Sequence, residues 1–135
     1  MLSTVATLGL CLVAVGCSAS SASSSSSTPS RPSTTATLQI VSPAPNETTG
    51  TAVVLVMQLD GAHLAPPTQV GGALRPDEGH IHVSVDGQLV AMPLVTSYQV
   101  TNLVPGSHTI EAEFVATDHL PFSNRVVAAV TFQVQ

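Results

Sequence analysis

Apolar residues occupy every second position through most of the chain from residue 37 onward, and this period of two constrains the fold most. Side chains alternate between the two faces of a β-strand, whereas an amphipathic helix repeats every 3.6 residues. Segments rich in Pro, Gly, Asn and Asp separate the alternating runs. The pattern predicts strands at 37–42, 51–60, 80–85, 88–94, 97–103, 107–117 and 125–134. We therefore predict an all-β fold, an immunoglobulin-like β-sandwich of about seven strands.

The first 35 residues have a different composition and are predicted to lie outside the folded domain. An apolar run from Val5 to Gly16 is shorter than the ~20 residues that a membrane-spanning helix needs, and it is typical of a processing signal. The residues after Cys17 are almost entirely Ser, Thr, Ala and Pro, which cannot bury enough apolar surface to order themselves. We predict a signal peptide at 1–16, a disordered tether at 17–35 and one domain at 36–135.

The end of the apolar run, Ala14-Val15-Gly16-Cys17, resembles the lipobox of bacterial lipoproteins. In that family the cysteine is lipidated and becomes the new N-terminus. The resemblance implies that Cys17 carries lipid and holds the protein on the extracytoplasmic face of the cell membrane. The alternative is an ordinary secretory signal that contains an incidental cysteine.

Cysteine content and charge limit what the domain can be. Cys11 and Cys17 are the two cysteines, so residues 36 to 135 contain no thiol and must be stabilised by a packed core. The chain has 3 Lys and Arg against 8 Asp and Glu, for a formal net charge of −5. A negative surface repels phosphate backbones, so we predict no nucleic-acid partner.

The stretch Gly79-His80-Ile81-His82 begins a strand with strict alternation. Its β-branched face is predicted to join the core, which turns His80 and His82 toward solvent. Asp86-Gly87 is a strong signal for a two-residue hairpin turn. The predicted pairing is Val85 with Gln88, Val83 with Val90 and Ile81 with Met92, which places Met92 in the core.

Two imidazoles two residues apart on one strand face can chelate one metal ion such as copper or zinc. The pair alone is a weak signal, so we predict that His80 and His82 are exposed polar residues and that the domain has no cofactor. Copper-zinc superoxide dismutases have a similar His-x-His pair. A third ligand must come from a loop, for which His119 is the first candidate and His63 the second. This copper or zinc site is the alternative to an exposed pair without a ligand.

His108 follows a Pro-Gly corner and has the parity of the core. We predict that it fixes this corner by a hydrogen bond to the backbone, with metal ligation as the alternative. Residues 60 to 79 form a long loop, which is either functional or a surface excursion.

The stretches SPAPNETTG, EGHIHVSVDG, LVPGSHTI and TDHLPF together resemble a family of uncharacterised exported bacterial domains with an immunoglobulin-like fold. The resemblance marks His80, His82, His108 and His119 as positions of interest and implies no established activity.

No residue pattern predicts catalysis. The mature domain has no cysteine nucleophile, its acids have no paired spacing, and no serine stands in an elbow motif. We predict a non-catalytic binding or structural module of the cell envelope, with an envelope protein as a partner. The alternative is an extracytoplasmic copper- or zinc-binding protein that uses the histidine cluster.

Overall fold

The computed structural model describes residues 30 to 135; the predicted signal peptide, Cys17 and the tether up to residue 29 lie outside this range. The described part contains nine strands. They are β1 (Thr37–Ser42), β2 (Thr48–Thr49), β3 (Val53–Asp60), β4 (His63–Leu64), β5 (Glu78–Val85), β6 (Gln88–Ala91), β7 (Ser97–Val100), β8 (Gly106–Ala116) and β9 (Pro121–Val134). From residue 30 to the end, no helix is long and apolar enough to cross a membrane.

The strands form two sheets. One sheet has the order β1-β3-β7, and the other has the order β2-β9-β8-β5-β4, with β6 also paired to β5. The longer strands pair antiparallel, whereas the two-residue strands β2 and β4 pair parallel to β9 and β5. The predicted fold class, an immunoglobulin-like β-sandwich, is confirmed.

Both sheets contribute to one apolar core. Leu55 comes from the three-stranded sheet, and Ile81, Phe114 and Phe132 come from the other; all four are 0% exposed. Ile81 and Val83 on β5 are fully buried, as their parity predicts. Burial of this face fixes the orientation of β5, so its alternate residues point to the outer side of the sheet.

The hairpin between β5 and β6 follows the prediction only at its turn. Asp86 and Gly87 have φ values of 50° and 82°, as such a turn requires, and Val85 pairs with Gln88. Beyond the turn, a bulge shifts the register.

Because of this bulge, Val83 pairs with Ala91, so the predicted pairing of Val83 with Val90 is wrong. A bulge places one extra residue on one strand and displaces every later pair. Strand β6 then ends at Ala91, and Met92 is 36% exposed. The prediction of Met92 as a core residue is therefore also wrong.

Gly79 occupies a position that has no room for a side chain. A Cβ atom there would lie 2.0 Å from the carbonyl oxygen of Val115. Gly79 pairs with Ala116 across the β5–β8 ladder, immediately before His80. The glycine therefore allows β5 and β8 to approach closely where the histidine strand begins.

The packed part of the chain begins before Ala36. The backbone N–H of Thr34 donates to Asn124 Oδ1 and its carbonyl accepts from Asn124 Nδ2, both at 2.8 Å. Thr34 is 6% exposed, and the carbonyl of Pro32 accepts from the N–H of Ser123 at 3.0 Å. Residues assigned by composition to the tether thus extend the contact surface of β9.

Candidate functional site

Three of the histidines meet at one end of the six-stranded sheet. His80 and His82 lie on β5, and His119 lies in the short loop between β8 and β9. The rings of His80 and His119 stack with centroids 4.4 Å apart, and those of His82 and His119 with centroids 5.4 Å apart. The topology therefore brings together the three residues that the sequence marks as candidate ligands.

The outer face of β5 is not open to solvent at His80, and the prediction that both histidines are exposed is wrong there. His80 is 1% exposed because the segment from Ala65 to Gln69 folds over it. The N–H of Ala65 donates to the carbonyl of Gly79 at 2.8 Å, which holds this segment against β5. His82, two residues further, is half-buried. Part of the long loop thus covers the site.

Hydrogen bonds define the proton positions on His119 and His82. His119 Nε2 lies 3.1 Å from the carbonyl oxygen of Pro67, which can only accept, so Nε2 carries the proton. In the neutral ring, Nδ1 then holds a lone pair. His82 Nε2 lies 3.1 Å from this Nδ1 and is the donor.

His80 is placed differently from a metal ligand. Its Nδ1 lies 3.0 Å from the carbonyl oxygen of Ala65, and its Nε2 lies 3.2 Å from that of Gln69 and 3.4 Å from that of Thr117. Carbonyl oxygens are acceptors, so neither nitrogen turns a lone pair toward His119. His80 supports the cluster by packing and by holding the covering segment.

A metal site built from three side chains is absent from residues 30 to 135, where no group of three His, Cys, Asp or Glu is arranged to hold an ion. His80, His82 and His119 as three ligands of one ion stay a prediction from the sequence. His63, the second candidate for the loop ligand, is exposed on β4 and takes no part in the contacts that join the cluster.

The surroundings of His82 favour its neutral form. Partial burial lowers the pKa of His82, and the neighbouring His119 and His80 lower it further, whereas Glu113 opposes this effect. Glu113 is the partner of His82 across the β5–β8 ladder, and its carboxylate accepts two hydrogen bonds of 2.7 Å from Arg125. The pairing with Arg125 reduces the negative charge beside His82.

Arg31 holds the loop that carries His119, a role that the sequence analysis missed. Its guanidinium donates to both carboxylate oxygens of Asp118, at 2.7 and 3.0 Å, and to the carbonyls of Leu120 and Pro121. The hydrogen bond from Arg31 lowers the pKa of Asp118. His119 itself has a φ of 62°, a conformation uncommon outside glycine. As the lone charge in a polar stretch, Arg31 was the available signal for this contact.

His108 lies at the opposite end of β5 from the cluster. In its protonated form, His108 donates from Nε2 to the carbonyl of Val104 at 2.8 Å, across the Pro-Gly corner, and from Nδ1 to Asp86 Oδ2 at 2.6 Å. The hydrogen bond with Asp86 raises the pKa of His108, and Thr109 and His108 together lower the pKa of Asp86. The pair joins the β5–β6 turn to the start of β8.

No protein-family model and no curated protein matches the chain. Among solved structures, fibronectin(III)-like modules of Clostridium thermocellum CbhA are similar at 14% identity over 72% of this chain and 93% of theirs, with a TM-score of 0.46. A CARDB domain from Pyrococcus furiosus is similar at 15% identity over 73% of this chain and 93% of that domain, with a TM-score of 0.48.

A lytic polysaccharide monooxygenase from Jonesia denitrificans is similar at 22% identity over 69% of this chain, with a TM-score of 0.42. The chain spans 60% of the length of that protein.

Proposed function

We propose that the protein is a lipoprotein anchored to the extracytoplasmic face of the cell membrane, where its sandwich acts as a non-catalytic binding or structural module. The observation that carries the proposal is the sequence around Cys17. A short apolar run ends in small residues and this cysteine, and a stretch of Ser, Thr and Pro follows it. This order of segments is what an exported protein with a lipid anchor requires.

The contacts of Arg31 support a short tether between anchor and domain. Arg31, which contacts the loop of His119, is separated from Cys17 by residues 18 to 30. A flexible coil of this length has a root-mean-square reach of roughly 20 Å. The chain also joins the domain beside the loop of His119. In this arrangement the histidine cluster lies at the end of the sandwich that is tied closest to the membrane.

The surface of the described domain supports a binding role. Leu89 and Val90 on β6 are 53% and 46% exposed, and Leu94 and Val95 in the following segment are 57% and 61% exposed. Exposed apolar residues grouped in this way are typical of surfaces that contact another protein. The acidic net charge favours a neutral or basic partner over an acidic one.

Metabolic labelling with a clickable fatty acid tests the anchor. The wild-type protein should incorporate the label, whereas Cys17→Ala should be unlabelled. Cys11→Ala is the matched control and should behave as the wild type, because Cys11 lies within the predicted signal peptide. Equal labelling of the wild type and Cys17→Ala would contradict the proposal.

A further inference from the structure

His82 Nε2 and His119 Nδ1 face each other across 3.1 Å and share one proton in a hydrogen bond. We propose that His82 Nε2 and His119 Nδ1 bind one divalent transition-metal ion, with Cu(II) bound most tightly, in place of the proton between them, which moves to Nδ1 of the His82 ring. This inference is independent of the membrane anchor.

The separation of the two nitrogens fits two ligands of one ion. Imidazole nitrogens bound at about 2.0–2.1 Å lie about 3.3 Å apart at a tetrahedral angle and about 2.9 Å apart at a right angle. His82 Nε2 and His119 Nδ1 are 3.1 Å apart, which lies between these values. At this separation an ion lies beside the line that joins the two nitrogens, so each ring has to turn until its lone pair points at the ion.

His119 Nε2, the ring nitrogen that does not face His82, makes the kind of hydrogen bond that is usual in metal-binding histidines. Such histidines usually donate the second ring N–H to a carboxylate or a backbone carbonyl, which fixes the tautomer and the ring orientation. His119 Nε2 donates to the carbonyl of Pro67 at 3.1 Å, which leaves the lone pair on Nδ1 facing His82. This second contact points to a ligand independently of the distance between the nitrogens.

The loop is also ordered before an ion arrives. Arg31 fixes Asp118, Leu120 and Pro121, the residues on both sides of His119, through four hydrogen bonds. The ring of His80 stacks on that of His119 at 4.4 Å. An ordered ligand loses less conformational entropy when it binds, so two histidines can give measurable affinity.

The ligand chemistry selects the ion. Imidazole suits copper, zinc and nickel, and among divalent first-row ions Cu(II) binds most tightly to a given nitrogen site. His80 supplies no ligand nitrogen, because both of its ring nitrogens face backbone carbonyl oxygens. The remaining positions on the ion are then left for water or an external ligand, so the site is open.

Titration with Cu(II), followed by calorimetry and by electron paramagnetic resonance, tests the site. The full chain is used without a histidine tag and with Cys11→Ala and Cys17→Ala, so that no thiol competes for copper. One Cu(II) per chain should bind with two coordinated imidazole nitrogens, and Zn(II) should bind more weakly. His82→Ala and His119→Ala should each weaken Cu(II) binding by about tenfold or more, because each removes one of two ligands.

His63→Ala is the matched control, since His63 is exposed and lies outside the cluster; it should leave Cu(II) affinity unchanged. The nitrogen count on the unsubstituted protein keeps the test valid if a variant fails to fold. A signal from fewer than two imidazole nitrogens would overturn the proposal. Binding that is lost in His63→Ala, or retained in both His82→Ala and His119→Ala, would overturn it as well.

Discussion

Gly79→Ala should destabilise the domain far more than any other glycine-to-alanine change at an unstrained position. A new Cβ would lie 2.0 Å from the carbonyl oxygen of Val115 and 3.1 Å from a ring carbon of Phe114. Ordinary contact begins near 3.4 Å, so β5 and β8 must separate by more than 1 Å at this point.

Two costs combine in this variant. Overpacking typically costs about 1–3 kcal/mol, and each hydrogen bond lost from the ladder costs about 0.5–1.5 kcal/mol. Alanine also lowers the conformational entropy of the unfolded chain, which offsets about 0.4–1 kcal/mol of this loss of stability. We therefore expect the free energy of unfolding to fall by roughly 2–4 kcal/mol, which lowers the melting temperature of a domain of this size by roughly 10–25 °C.

Urea and thermal unfolding followed by circular dichroism measure this loss. Gly50→Ala is the matched control, because a Cβ at Gly50 has no neighbour within 4 Å. The control should be neutral or slightly stabilising. A Gly79→Ala variant as stable as Gly50→Ala would refute the close approach of β5 and β8.

Three further results are expected. The pair of His108 and Asp86 should contribute most to stability between pH 3.8 and 6.5, the ordinary pKa values of its two members. The stabilisation that His108 contributes is complete below pH 6.5 and is lost as the pH rises through its raised pKa. The stabilisation that Asp86 contributes is complete above pH 3.8 and is lost as the pH falls through its lowered pKa. Urea unfolding of Asp86→Asn should therefore show a flatter pH dependence of stability than that of the wild type. His80→Ala should cost roughly 2–4 kcal/mol in unfolding free energy because it leaves a cavity and unpaired carbonyls, while the exposed His63→Ala should change it by ~0.5 kcal/mol or less. Arg31→Ala should accelerate amide hydrogen exchange in the loop between β8 and β9 and leave exchange in the core unchanged; equal protection in both proteins would refute its role there.

Local patterns in the sequence were sufficient to predict the sandwich. Alternation of apolar residues identifies the seven longer strands, because side-chain parity is a property of each strand alone. The Asp86-Gly87 turn was predictable for the same reason, since both positions need positive φ. These features depend on neighbours in the chain.

The cover over the histidines depends on neighbours in space. The alternation of residues along β5 correctly predicts that the side chain of His80 points away from the core. It could not show that the segment from Ala65 to Gln69 folds over this side chain. The bulge between β5 and β6 depends in the same way on which residues pair across the two strands. The local sequence around Arg31 likewise does not show that Asp118 is its partner. The sequence therefore marked three histidines that meet in space, and it misjudged the exposure of His80.

The location of the domain outside the cytoplasm is the central claim, and a single introduced cysteine tests it most directly. The mature domain has no thiol of its own, and lipidation would consume that of Cys17, so the wild type should not react with a maleimide that cannot cross the membrane. Gln99→Cys places a thiol at an exposed position of β7. Spheroplasts that carry this variant should be labelled before lysis, with a cytoplasmic cysteine protein unlabelled in the same sample. Labelling of Gln99→Cys only after lysis would contradict the account.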